Sequence, residues 1–130
     1  DEAGNIVELI CTYDPESKSG MPGANRKVKA TAHWVSAAHA VKITARLYDH
    51  LFLTANPDDA PEGQDFMANL NPDSLEVLTE CMAEPSIASA KPGDRFQFLR
   101  QGYFHVDPVD SKDGEIVVNR IVGLRDTWKK

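Results

Sequence analysis

The sequence predicts an all-β domain, a barrel or a sandwich, and three observations carry that prediction. Seven strand-length segments are rich in Val, Ile, Thr, Phe and Tyr, the residues that fit a pleated, half-buried surface. Each is bounded by Gly, Pro, Asp, Asn or Ser, whose backbone and side-chain chemistry favours turns. Helical patterning is confined to one or two short turns. Seven short strands in a chain of 130 residues suit a barrel or a sandwich.

The elements follow in chain order. In 5–13 (NIVELICTY), Val7, Leu9 and Cys11 alternate with Glu8 and Thr12, and in 27–35 (KVKATAHWV), Val28, Ala30 and Ala32 alternate with Lys27, Lys29 and Thr31. A period of two sends alternate side chains to opposite faces, so both segments read as half-buried strands. The intervening 14–25 carries two Pro and two Gly and reads as a surface loop. Ser36 is placed to cap a helical turn through His39, next to a small Ala37-Ala38 pair suited to close packing. Strand 41–48 (VKITARLY) follows, with Trp34, Leu47 and Tyr48 as candidate core residues. The Pro- and acid-rich 54–65 is a second loop, closed by a helical turn over 65–68 with Asp65 as its start. Strands are then expected at 74–82, 94–100, 102–107 and 115–124, with a hairpin turn at 111–114 in which Gly114 is free to take a positive φ.

Composition bounds the function classes. With 42% hydrophobic residues the chain is globular rather than disordered, and its length is that of one domain. No apolar stretch approaches the roughly 18–20 residues that cross a bilayer, and no basic start leads into an apolar core, so no membrane partner is expected. Cys11 and Cys81 lie far apart with no C-x-x-C spacing, and no N-x-S/T sequon occurs. A reducing, cytoplasmic setting is therefore expected, with a single disulfide as the alternative. The start Asp1-Glu2-Ala3-Gly4, without Met, suggests a piece of a longer polypeptide.

The net charge of −6 argues against sequence-blind binding to nucleic acid, which needs many Lys and Arg contacts to phosphate. That acidity is unevenly placed. Residues 1–48 carry 6 basic and 5 acidic groups, 49–94 carry 1 and 10, and 95–130 carry 7 and 5, or +1, −9 and +2. A small, specific contact near the last third remains compatible with the charge.

Catalytic signatures are absent. There is no G-x-G-x-x-G, no G-x-x-x-x-G-K, no G-x-S-x-G and no H-E-x-x-H. His33, His39, His50 and His105 never reach metal-ligand spacing with Cys or one another, and the acidic 58–65 lacks the D-x-D-x-D-G order of a calcium loop. No catalytic residue and no metal site are expected. The run 94–105 (DRFQFLRQGYFH) interleaves Phe96, Phe98, Tyr103 and Phe104 with Gln97, Arg100 and Gln101, side chains that stack on and hydrogen-bond to unpaired bases. Phe96 and Phe98 share one strand face, however, and residues so placed usually belong to a core.

Five segments together carry a resemblance. Residues 27–52 (KVKATAHWVSAAHAVKITARLYDHLF), 66–75 (FMANLNPDSL), 83–87 (AEPSI), 96–107 (FQFLRQGYFHVD) and 119–128 (NRIVGLRDTW) resemble, in order, the C-terminal anticodon-binding region of the glutaminyl-tRNA synthetase family, class I of E/Q type. The resemblance covers nearly the whole chain and departs mainly in the 14–25 and 54–65 loops, where length and composition drift cheaply.

The resemblance implies an antiparallel β-barrel of the ribosomal protein L25-like type. Residues 1–118 would be the distal anticodon-binding barrel, and 119–130 a C-terminal strand and tail returning to a proximal barrel upstream. Ile121, Leu124 and Trp128 would then lack their usual neighbours. It implies a parent enzyme, a glutamine–tRNA ligase, that joins glutamine to tRNA(Gln) using ATP with Mg in a catalytic domain outside this chain. The chain itself would hold no cofactor, would be inactive alone and would be a monomer. Ser17-Lys18-Ser19-Gly20 superficially matches a class I catalytic motif, but it sits in a Pro/Gly-rich loop with no partner motif. Alternatives are the equivalent domain of an archaeal or eukaryotic-type glutamyl-tRNA synthetase, a stand-alone L25-like barrel on ribosomal RNA, and a protein-interaction barrel using the acidic 49–94 face.

Residue by residue, the resemblance implies that Gln97 and Arg100 read the middle anticodon base, a uridine. Uracil offers an N–H donor between two carbonyl acceptors, whereas cytosine has an amino donor at one of those positions. Arg100 has donors only, so it satisfies a uracil carbonyl and leaves the cytosine amino group unpaired. Perfect alternation would set Gln97 and Arg100 on opposite faces, so a strand end or irregularity is expected at 99–101. Arg125 is a candidate for the tRNA backbone, and Asp49 for capping the turn before Leu51.

Overall fold

The computed structural model describes residues 1–124 and divides the chain into two units, Asp1–Ala32 and His33–Lys130. In the first, short 3-10 turns form at Pro15–Ser17 and Pro22–Asn25. Asp14 caps the first turn by accepting from the Glu16 backbone N–H, and its carboxylate also meets Arg26 at 3.0 Å. Pro at the start of both turns suits a position whose N–H would otherwise lack a partner.

The second unit is an all-β sheet of five strands: β1 (Val41–Tyr48), β2 (Leu75–Ala83), β3 (Arg95–Phe98), β4 (Gly102–Val106) and β5 (Ile116–Val122). Their order is β2-β1-β5-β4-β3. β1 and β2 form an antiparallel ribbon, and β3, β4 and β5 form an antiparallel meander. The two are joined by β1 against β5, a parallel pair in a fold expected to be antiparallel throughout. Reversing direction at each of β2, β3, β4 and β5 brings β5 back in the sense of β1, and the intervening chain is long enough for a parallel crossover. Among the described residues the sheet is open, with β2 and β3 as its edges.

Alternation decides which face is buried. Ile43 and Ala45 on β1, Phe104 and Val106 on β4 and Val118 on β5 form the core with Ala83 and with Ile87, which a 3-10 turn over Pro85–Ser89 lays against it. Val118 is fully buried, and Phe98 stacks on Phe104 with ring centroids 4.7 Å apart. Burying a side chain of this size contributes about 1.5–3 kcal/mol.

Local turn chemistry matches expectation at Asp65 and Gly114, whereas the Ser36 hydroxyl meets His39 Nδ1 at 2.9 Å instead of capping a backbone N–H. The 36–40 turn closes through the Ser36 carbonyl, which accepts from His39 and Ala40. Asp65 caps a 3-10 turn over Phe66–Asn69 by accepting from the Met67 N–H at 2.9 Å. Lys112 and Glu115 pair across a turn with Gly114 at φ 82°. Asp49 accepts from the backbone and ring of His50, which holds its carboxyl below the usual carboxylate range.

Two expected strands do not form. Neither 5–13 nor 27–35 is strand, and Ile6, Val7, Leu9, Ile10 and Val28 are exposed. Alternation makes a ribbon amphipathic, but a strand needs a hydrogen-bonded neighbour, and neither segment enters the described ladder. Trp34, expected in the core, is 78% exposed; Tyr48 is exposed as well, while Leu47 packs on the core. Ile121 and Leu124 are exposed, and Trp128 lies outside the described residues. β5 runs unbroken through residues 118 and 119, the boundary placed between barrel and tail.

Candidate nucleic-acid interface

The β3–β4 hairpin is built around an unusual tip. β3 ends at Phe98, and the Gln101 N–H donates to the Phe98 carbonyl at 2.9 Å, closing a turn through Leu99 and Arg100. Arg100 has φ 65° and is the one non-glycine residue with positive φ among the described residues. Positive φ at the third turn position alone is the pattern of a type II turn, where Gly or Asn normally stands. A side chain held there costs about 1 kcal/mol or more. Gly102, next in the chain, has φ 145°, and a Cβ on it would lie 2.6 Å from the Val122 carbonyl oxygen. Only glycine allows β4 to approach β5 that closely.

The expected irregularity at 99–101 is therefore a hairpin turn. It removes the regular alternation that would have carried Gln97 and Arg100 to opposite faces. Both side chains are exposed, and neither has a hydrogen-bond or ion-pair partner among the described residues. Gln97 pairs across the hairpin with Tyr103, and Arg95 with His105. In β3 the exposed Arg95 and Gln97 alternate with half-buried Phe96 and Phe98, so Gln97 and Tyr103 share the face away from the core.

The core face opens into a groove of ≈ 550 Å³, walled by Ile43, Leu47, Phe98 and Phe104 and bordered by Gln97 and Gln101. Arg100 is not part of its lining.

On the opposite face, at the far end of β4 and β5, lies a polar cluster that sequence reasoning missed. Asp107 Oδ1 accepts from the backbone N–H groups of Val109 and Asp110, both at 2.8 Å. Its Oδ2 accepts from Asn119 Nδ2 at 2.6 Å and meets Arg46 at 3.5 Å, while Arg46 also meets Asp110 at 2.6 Å. The two backbone donors and the Asn119 amide hold the Asp107 carboxyl down at about 2 from an ordinary 3.8. Asn119 Oδ1 is buried without a partner among the described residues. Turning the amide over would set that oxygen against the Asp107 carboxylate, so the orientation is fixed by chemistry. The four residues are scattered between 46 and 119, and no motif spacing could have announced them.

A family model for tRNA synthetases class I (E and Q), anti-codon binding domain, matches residues 31–107, which span β1 to β4 with the whole hairpin.

The chain belongs to this anticodon-binding family.

The domain is also 56% identical over 128 residues to a glutamine–tRNA ligase of Pseudomonas syringae, and 57% identical over 130 residues to one of Rhodopirellula baltica. These alignments cover 98% and 100% of the domain but only 22% and 21% of the relatives, so it spans about a fifth of their length. Gln97 and Arg100 lie inside the family match, and Arg125 lies outside both the match and the described residues. Among the described residues no cluster of His, Cys, Asp or Glu could hold a metal ion, and no helix is long and apolar enough to cross a membrane. The position of Tyr103 opposite Gln97 depends on strand register and could not be read from residue type.

Proposed function

We propose that this chain is the anticodon-reading part of a glutamine–tRNA ligase, with Gln97 and Arg100 contacting the middle uridine of tRNA(Gln). The observation that carries the assignment of readers is the hairpin itself. It exposes an amide and a guanidinium, unengaged among the described residues, on either side of a strand end. Backbone strain retained at Arg100 is what a functional constraint on that position would produce. The glutamine–tRNA ligase relatives favour glutamine over glutamate for the parent enzyme.

In this reading the parent is a monomeric cytoplasmic enzyme whose catalytic domain, with ATP and Mg, lies elsewhere in its chain. This domain holds no cofactor and does not aminoacylate alone. Residues 119–130 return toward a proximal barrel, and Arg125 touches the tRNA backbone. The acidity of 49–94 excludes indiscriminate RNA binding while leaving the hairpin, in the mildly basic last third, free to make a small specific contact.

The test is charging by the full-length ligase that carries this domain, on tRNAs with uridine or cytidine at the middle position. Gln97→Ala and Arg100→Ala are each expected to reduce the preference for uridine by about 10- to 100-fold, the effect of a well-formed base-edge contact of about 1–3 kcal/mol. Unchanged preference in both variants would sink the assignment.

A further inference from the structure

We propose that Tyr103 is the stacking platform for the base whose edge Gln97 and Arg100 read, an inference that rests on the anticodon-reading role proposed for the hairpin. Three observations place it there.

Register comes first. Tyr103 is paired directly with Gln97 in the antiparallel hairpin, and directly opposed residues hold their side chains side by side on one face, with Cβ atoms about 4.5–5.5 Å apart. A planar base whose edge meets the Gln97 amide therefore has its ring above the neighbouring position, which Tyr103 fills.

Commitment of the other aromatics comes second. Phe104 is 4% exposed and stacked with Phe98, and Phe96 and Phe98 both pack on the core. Tyr103 is 44% exposed, and its hydroxyl has no partner among the described residues. It is the aromatic face of this hairpin that the fold leaves unused.

The third observation is the neighbour on the other side. The pairing of β4 with β5 shifts between Tyr103 and Phe104, which brings the exposed Val122 opposite Tyr103. Tyr103 is thus flanked by a polar reader and by an aliphatic side chain, an apolar shelf with hydrogen-bonding groups along one border. An unpaired base needs both contacts. Edge contacts choose among bases, whereas an aromatic face holds any base, because every base has a π-face.

The two roles predict different signatures. Binding of the full-length ligase to tRNA carrying a fluorescent pyrimidine analogue at the middle position is expected to quench its emission, as stacking does. No change in emission on binding to the wild-type protein would overturn the platform without any mutation. Tyr103→Phe should bind within about twofold of wild type, since it keeps the ring. Tyr103→Leu should weaken binding about 10- to 100-fold for uridine and cytidine tRNAs alike and abolish the quench. A Tyr103→Leu protein that binds and quenches as wild type does would also overturn it.

Failure of the underlying reading looks different. If Gln97→Ala and Arg100→Ala leave the uridine preference intact while Tyr103→Leu loses affinity and quench, the edge readers are wrong and the platform stands. If the uridine preference depends on Gln97 and Arg100 but Tyr103→Leu costs nothing, the platform alone is wrong.

Discussion

The two ends of the β4–β5 ribbon use polar side chains in opposite ways. At one end, Arg46, Asp107, Asp110 and Asn119 satisfy one another and the backbone, with Asn119 Oδ1 the exception, and Asp107 and Asn119 are buried. At the other, Gln97, Arg100 and Tyr103 are exposed and unengaged among the described residues. A buried carboxylate is tolerated only when its lone pairs are taken, so the Asp107 carboxylate at the centre of the first cluster has to be fully engaged. An exposed amide or guanidinium is hydrated and carries no such penalty, so the hairpin can keep its donors for a ligand. The first cluster accordingly contributes to stability, and the second is left free for the recognition role proposed for it.

That contrast can be broken by substitutions at each end. The largest effect is expected from Asp107→Ala, which leaves the Val109 and Asp110 N–H groups and the Asn119 amide without their acceptor. The loss should be about 3 kcal/mol of unfolding free energy in urea titration, with the uridine preference of the surviving folded protein unchanged. A fall in preference without a fall in stability would reverse the assignment of roles.

Next is pH. Because the folded pKa of Asp107 is lowered to about 2 from 3.8, the stabilisation it supplies is fully present above about pH 4 and disappears as pH falls toward 2. It amounts to about 2 kcal/mol, and Asp107→Asn should remove this part of the acid dependence in unfolding curves taken across that range. An identical acid dependence in the variant would show that the carboxylate is not held as the geometry implies.

The smallest effect sharpens the other end. Arg100→Gly relieves the positive φ, and thermal or urea unfolding should show a gain of up to about 1 kcal/mol. The same variant should lose uridine preference in charging. Stability gained where recognition is lost is the signature of a position held by function; a variant that loses stability would mean that the Arg100 side chain supports the turn.

Legibility in the sequence followed the range of the interaction. Asp65 as a cap, Gly114 in its turn and the end of β3 near Leu99 could all be read from a few neighbouring residues, because turns and caps are closed by groups within about four residues of each other. Gln97 and Arg100 were named through resemblance to a family that the chain proves to share, and the strand end between them was argued from that shared role together with strand alternation. Arg46 and Asn119 were invisible as partners because 61 and 12 residues separate them from Asp107, and nothing local marks either one.

The sequence by itself determined an all-β chain, its turns, its alternating faces and the chemistry available at the hairpin, since each of these depends on local backbone preference and side-chain type. Tertiary structure decided which ribbons found partners. Segment 41–48 became a central strand, whereas 5–13 and 27–35, with the same alternation, entered no described ladder. It also decided that β1 and β5 run parallel, that the sheet is open among the described residues, and that Tyr103 stands beside Gln97. The physical reason is that alternation gives a strand two faces but does not choose its neighbour. That choice is made by hydrogen bonds and packing between residues far apart in the chain, where register rather than residue type sets what meets what.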